Sequence, residues 1–173
     1  ILGLALGMLA GYYRGLVDDI IMRTVDIFMS VPLLLLALLV IFILGASFWN
    51  IILVFALGRW MLYCRVCRGV VMSLREQAFV EAARSIGCTD LRIVLRHVLP
   101  NLITPLMTIA ALDVPRIILT ESTLSFLGFG IQPPESSWGT MLSRGREYLT
   151  TAWWVVVMPG MAIFVTALSF NLF

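Results

Sequence analysis

The sequence has no lysine: all 12 of its basic residues are arginine, and its one histidine is His97. Only 13% of the 173 residues are charged and 61% are hydrophobic, whereas soluble domains carry about 25% charged and about 45–50% apolar residues. A chain of this composition is an integral membrane protein. Without lysine it cannot contain a P-loop, whose second glycine must be followed by that side chain, so any ATP hydrolysis lies elsewhere. A lone histidine excludes the H-E-x-x-H zinc-protease pattern. The cysteines are also few, Cys64, Cys67 and Cys88. The C-x-x-C at 64 and 67 lacks the further Cys or His that a metal or redox centre wants, so both are expected as small side chains near a helix end. No metal ligand and no catalytic residue is assigned. No signal peptide is visible, since residue 1 already lies in an apolar run. Both ends stop within apolar patterns, as expected for a piece of a longer polypeptide.

What is abundant is long apolar runs. A spanning helix needs roughly 20 apolar residues, and five segments qualify or nearly so: about 1–12 (the tail of a span), 28–46, 49–66, 101–120 and 152–173. Pro32 falls in the first turn of the second, where a missing N–H does no harm. Unbroken runs choose helices over a barrel, because lipid offers backbone groups no other partner. The fold expected is an all-α, polytopic helical bundle forming a single domain over residues 1–173.

Arginine sets the orientation. Segments 13–27 and 65–99 hold Arg14, Arg23, Arg65, Arg68, Arg75, Arg84, Arg92 and Arg96, against Arg144 and Arg146 in 47–49 and 121–150. The first set is therefore expected in the cytoplasm, giving a cytoplasmic loop at about 67–100 and an extracytoplasmic segment at about 122–150. Gly3, Gly7 and Gly11 recur every four residues, one flat helix face that lets another backbone approach closely.

Residues 78–98 are too short and too charged to span, and their pattern predicts two short helices. In the first, about 78–86, Phe79, Ala82, Ala83 and Ile86 share a stripe. Gly87 supplies a left-handed stop. Thr89 is the expected N-cap of the second, with Asp90 in its first turn. There Leu91, Val94, Leu95 and Val98 form an apolar face opposite Arg92 and Arg96, and Pro100 closes the unit. Such an element either lies on headgroups or seats in a groove of a soluble partner. The small face Glu81-Ala82-Ala83 suits close seating. His97 is expected at a helix end, interacting with carbonyls or headgroups.

Glu81-Ala82-Ala83, Gly87 and Leu99-Pro100 together resemble the signature loop of permease subunits of bacterial binding-protein-dependent ABC importers. Trp60, Arg65, Arg68 and Gly69 precede it in the pattern of that family. Downstream, Glu121-Ser-Thr-Leu-Ser-Phe-Leu-Gly-Phe-Gly130, Gln132-Pro-Pro134 and Trp138-Gly139 extend the likeness over essentially the whole chain, and Gly11-Tyr-Tyr-Arg-Gly15 with Asp18 extends it upstream. The chain is similar to the peptide/nickel (dipeptide and oligopeptide) branch, and within it to the second of two paired permeases. The resemblance implies an inner-membrane subunit of six spans, five of them here, forming half of a pore with a second permease. It implies two cytoplasmic ATP-binding subunits that hold ATP and Mg, an extracytoplasmic substrate-binding protein, contact with membrane lipid, and no nucleic acid. It assigns no cofactor to this chain. It also implies that Glu81, Ala82, Ala83, Ser85, Gly87 and Asp90 couple the pore to the ATPases: Glu81 anchors, the alanines permit close seating, and Gly87 sets the angle.

Asp113, Arg116 and Glu121 stand apart. Ionisable residues at membrane depth are functional candidates. Asp113 and Arg116 are expected either on a water-lined pore or as an internal pair, with Pro115 interrupting the helix between them. Glu121 is expected to shape an outer gate. The apolar but non-spanning segment 122–147 is expected to fold back against the outer mouth. An ion-gradient-driven secondary transporter or channel using Asp113 and Glu121 is the alternative. No internal repeat of the kind such folds carry is visible, and it leaves the E-A-A loop unexplained.

Overall fold

A computed structural model describes residues 1–172. Its helices are α1 (Leu2–Tyr13), α2 (Gly15–Met29), α3 (Leu33–Leu44), α4 (Phe48–Arg75), α5 (Ala78–Ser85), α6 (Asp90–Ile93), α7 (Leu99–Phe126), α8 (Trp138–Gly145) and α9 (Trp154–Leu172), with no strand among the described residues. A π-helical turn, Val94–Val98, joins α6 to α7. Among the described residues three stretches are long and apolar enough to cross a membrane: Phe48–Arg75, Asp90–Phe126 and Trp154–Leu172. α2 and α3 make a fourth if taken together, and α1 is apolar but shorter. The chain divides into two compact units, one of Ile1–Val31 with Gly58–Ile109, the other of Pro32–Leu57 with the residues from Ala110 on.

In the first unit α1 lies parallel to α4 at backbone contact. A Cβ on Gly3 would stand 2.2 Å from the Trp60 carbonyl oxygen, on Gly7 2.5 Å from that of Cys64, and on Gly11 2.7 Å from that of Arg68. Steps of four on both helices keep this register, so only hydrogen fits at each of the three positions. Cys64 and Cys67 are fully buried in this seam, and the Cys67 thiol points to the Leu4 carbonyl oxygen. The chain then reverses through Arg14 and Gly15, both at positive φ. α2 returns along α4, held by Asp18 on Arg68 and Asp26 on Arg65. Val25 packs on Met61 and Cys64 beside these bridges.

In the second unit α3, the start of α4 and the end of α7 share a core of Ala37, Ile41, Ile51, Val54, Phe55 and Leu124. The Asn50 amide closes the end of α3 by donating to the Leu44 and Gly45 carbonyls at 3.0 and 2.8 Å. Segment 127–153 turns back so that α8 packs on α7 and α9. A Cβ on Gly139 would meet Ser122 Cα at 2.6 Å, and one on Gly145 would meet Val156. Phe126, Leu127, Phe129, Trp138 and Met141 nevertheless stay substantially exposed.

Several expected boundaries shift for physical reasons. The second apolar segment does not run as a helix from 28. α2 ends at Met29, where Ser30 Oγ donates to the Ile27 carbonyl, and α3 starts only after Pro32. Pro32 is the N-cap rather than a first-turn residue, because a proline drives the residue before it out of the helical region. α4 continues past 66 to Arg75 because Cys67 and Val71, four apart and fully buried, keep it on α1. Pro100 does not close the hairpin: Asp90–Phe126 is one continuous helix. A proline removes one ladder bond and crowds the carbonyl four residues back, and the π turn just ahead of Pro100 widens the helix where that strain falls. The Asn101 amide takes the His97 carbonyl at 2.6 Å. α7 likewise runs through Pro115 uninterrupted, as spanning helices tolerate.

Candidate functional site

α5 starts from Gln77, whose extended backbone (φ −82°, ψ 147°) makes it the N-cap, and carries Glu81 in its first turn, where the helix dipole favours a negative charge. It ends at Gly87, φ +82°. The Gly87 N–H bonds the Arg84 carbonyl at 2.9 Å and the Cys88 N–H bonds the Ala83 carbonyl at 3.1 Å. This pair of bonds is the Schellman stop, which requires a left-handed residue at that place. Thr89 then takes an extended conformation ahead of α6, although its hydroxyl makes no capping bond.

The hairpin so formed has two faces. Val80, Ala83, Ile93 and Val98 turn inward and join Tyr12, Cys67, Val71 and Leu102 in one buried cluster. Glu81, Ala82, Ser85, Gly87 and Asp90 are exposed, with Ile86 80% and Leu91 67% exposed beside them. The stripe expected from Phe79, Ala82, Ala83 and Ile86 is therefore split. Val80 and Ala83 face the core, while Phe79, Ala82 and Ile86 face outward. Ala83, expected to help seat a partner, instead packs inside, and the outer surface belongs to Glu81, Ala82 and Ser85. In the second arm Ile93 takes the inner place and Leu91 and Leu95 lie outside.

Tyr12, the last-but-one residue of α1 and 2% exposed, sits behind this hairpin. Its hydroxyl donates to Asp90 Oδ1 at 2.5 Å and accepts from Arg84 Nη2 at 3.2 Å. The guanidinium carbons of Arg75 and Arg84 each lie 5.6 Å from its ring centroid, within cation–π range. Arg75 also donates to the Tyr12 carbonyl oxygen. No spacing rule singles out Tyr12. Its sequence signals are its place one residue beyond the Gly3, Gly7, Gly11 stripe and within the Gly11-Tyr-Tyr-Arg-Gly15 stretch of the resemblance. At the turn before α5, Arg14 Nη2 meets Glu76 Oε1 at 2.5 Å. The hydrogen bond and charge of Arg14 hold the Glu76 carboxyl below the usual glutamate range.

The other candidate residues lie in the second unit. On α7 Asp113 is buried and Arg116 is exposed. Glu121 Oε1 accepts from Ser125 Oγ at 2.6 Å and Ser137 Oγ at 2.8 Å. Ser137 is also the N-cap of α8, in a reciprocal box with Thr140. Glu121 thus ties the end of α7 to the start of α8, at the polar edge of an apolar groove lined by Phe48, Ile51, Phe55, Ile117 and Trp138. This tie was not legible beforehand, and the spacing of Ser137 and Thr140 was its only signal.

Comparison with known proteins gives the family. The chain is 40% identical over 170 residues to a di/tripeptide transport system permease protein of Pseudomonas aeruginosa, covering 98% of this chain and 56% of that protein. It is 39% identical over 171 residues to a glutathione transport system permease protein of Pectobacterium atrosepticum, covering 99% and 57%. It is 39% identical over 172 residues to a dipeptide transport system permease protein of Alkalihalophilus pseudofirmus, again covering 99% and 57%. The chain spans a little over half the length of these relatives. The model of the binding-protein-dependent transport system inner membrane component family matches residues 3–173. With its apolar spanning helices, the chain belongs to that family of multi-pass inner-membrane permeases.

Proposed function

We propose that this chain is half of the translocation pore of an ATP-driven ABC importer for di- or oligopeptides or related small solutes, and that the hairpin 78–98 couples it to cytoplasmic ATPases. The observation that carries the coupling role is the two-faced hairpin. Its inner side is locked into the core of its unit, while Glu81, Ala82, Ser85 and Ile86 stand outside on a surface of small and apolar side chains. Small side chains let a partner groove approach closely. A lipid-anchoring helix shows bulky apolar groups along a whole face, whereas the outer side of α5 interleaves Glu81, Ala82 and Ser85 with Phe79 and Ile86.

On this proposal two cytoplasmic ATP-binding subunits hold ATP and Mg, a second permease completes the pore, and an extracytoplasmic binding protein delivers the solute. Closure of the ATPases moves the hairpins, and the helices that carry them change pore access. The peptide class rests on the names of relatives 39–40% identical. Glu121 then belongs to the outer gate, with α8 as the element it holds. The experiment is to reconstitute the full transporter in proteoliposomes with Glu81→Ala or Gly87→Ala. Both are expected to uncouple ATP hydrolysis from uptake; uptake untouched by both removes the coupling role.

A further inference from the structure

Gly87 supplies the left-handed residue at the bend, and a Cβ built on it meets nothing within 4 Å. Val80, Ala83, Ile93 and Val98 join the arms through the buried cluster. One side chain hydrogen-bonds both arms. The Tyr12 hydroxyl donates to Asp90, at the start of the arm after Gly87, and accepts from Arg84, in the arm before it. A hydroxyl has one proton to give and lone pairs to receive, so a single oxygen satisfies an acceptor on one arm and a donor on the other. Arg75, at the end of α4, holds Tyr12 in turn, through its carbonyl and its ring. Tyr12 lies in the last turn of a helix whose three glycines lie on the α4 backbone.

We infer that Tyr12 is a positioning residue for energy coupling: it fixes the angle between the two arms of the hairpin and passes their displacement to α1 and α4. The inference rests on the proposal that the hairpin docks on an ATPase. With the phenol hydroxyl present, a push on either arm moves Tyr12, and α1 follows because its glycine seam leaves no room for slip against α4. With the hydroxyl absent, the ring and its two guanidinium contacts remain, but Arg84 and Asp90 lose their shared partner, and the buried apolar cluster of Val80, Ala83, Ile93 and Val98 is left to join the arms. Docking survives; transmission weakens.

The test compares Tyr12→Phe and Asp90→Asn, singly and together, in the complete reconstituted transporter with its binding protein and a peptide substrate. The reading is solute taken up per ATP hydrolysed. Misfolding lowers both rates together and leaves their ratio alone, so the ratio separates positioning from mere structure. Tyr12→Phe is expected to lower uptake per ATP about tenfold, the scale of one charge-assisted hydrogen bond. Asp90→Asn should do less, and the double variant should match Tyr12→Phe alone. A cysteine placed at Ala82 should still cross-link to the ATP-binding subunit in every variant. If that cross-link forms and the ratio is unchanged in Tyr12→Phe, the clamp is wrong and docking stands. If the cross-link is missing from the parent protein as well, the docking proposal itself has failed.

Discussion

Asp18 on α2 grips Arg68 on α4 with both carboxylate oxygens, one on Nε and one on Nη2. Asp18 is 7% exposed. A fork of this kind fixes the rotation of one helix against the other as well as their separation. A Cβ on Gly11 of α1 would meet the carbonyl of this same Arg68, so α1 and α2 are both registered on one residue of α4.

Asp18 is buried, while the Arg68 side chain keeps 30% of its surface exposed, so water compensates part of what Arg68 loses. Asp18→Asn is expected to destabilise the protein by about 1–3 kcal/mol. Asp18→Asn combined with Arg68→Leu should cost less than Asp18→Asn alone. Thermal unfolding in detergent, followed by a thiol-reactive dye that reports exposure of Cys64 and Cys67, measures both. Equal losses in the single and double variants would show that the fork is not the source.

Gly7→Val places a Cβ 2.5 Å from the Cys64 carbonyl and 2.7 Å from Cys67 Cβ. The helices must part, at a cost of about 3 kcal/mol or more. Gly69, on α4 with nothing within 4 Å of its Cβ position, is the internal control. Gly69→Ala should stabilise by about 0.5–1 kcal/mol, because alanine is the better helix residue. The same dye assay ranks the two.

Ser137→Ala removes both the α8 cap and a donor to Glu121. A lost cap costs about 1–2 kcal/mol, and the loss is local to segment 127–145. Limited proteolysis should cut that segment several-fold faster, with the α1–α4 seam unaffected. An unchanged cutting rate would mean that Glu121 does not hold α8.

Glu76 titrates below the ordinary glutamate range because Arg14 sits on it. A depressed folded value means that the bridge contributes above the unfolded glutamate pKa and is lost as pH falls through the lower folded one. Carboxyl-carbon NMR of Glu76 should show that lowered midpoint, and Arg14→Gln should return it to the ordinary range. A midpoint identical in the two proteins would rule out the bridge in solution.

Features that depend on one residue's own geometry were legible in the sequence. Gly87 could be read as a helix stop because the Schellman bonds demand a left-handed residue. Gly3, Gly7 and Gly11 could be read as a close-approach face because hydrogen is the only side chain that fits. What depends on distant partners was not. An eight-residue helix offers Phe79, Ala82 and Ile86 on one side and Val80 and Ala83 nearer another, and only Tyr12, Ile93 and Leu102 decide which is buried. Tyr12 and Asp90 are 78 positions apart, beyond any local pattern. Pro100 reads as a terminator until a π turn of five residues is allowed ahead of it.

The central claim is that the outer face of the hairpin seats in a nucleotide-driven partner. Site-directed cross-linking from Ala82→Cys, in a Cys88→Ser background and in the complete transporter, tests it most directly. The account predicts a cross-link to the ATP-binding subunit whose yield changes between the nucleotide-free and ATP-bound states. Cross-links to phospholipid alone, in both states, would contradict it.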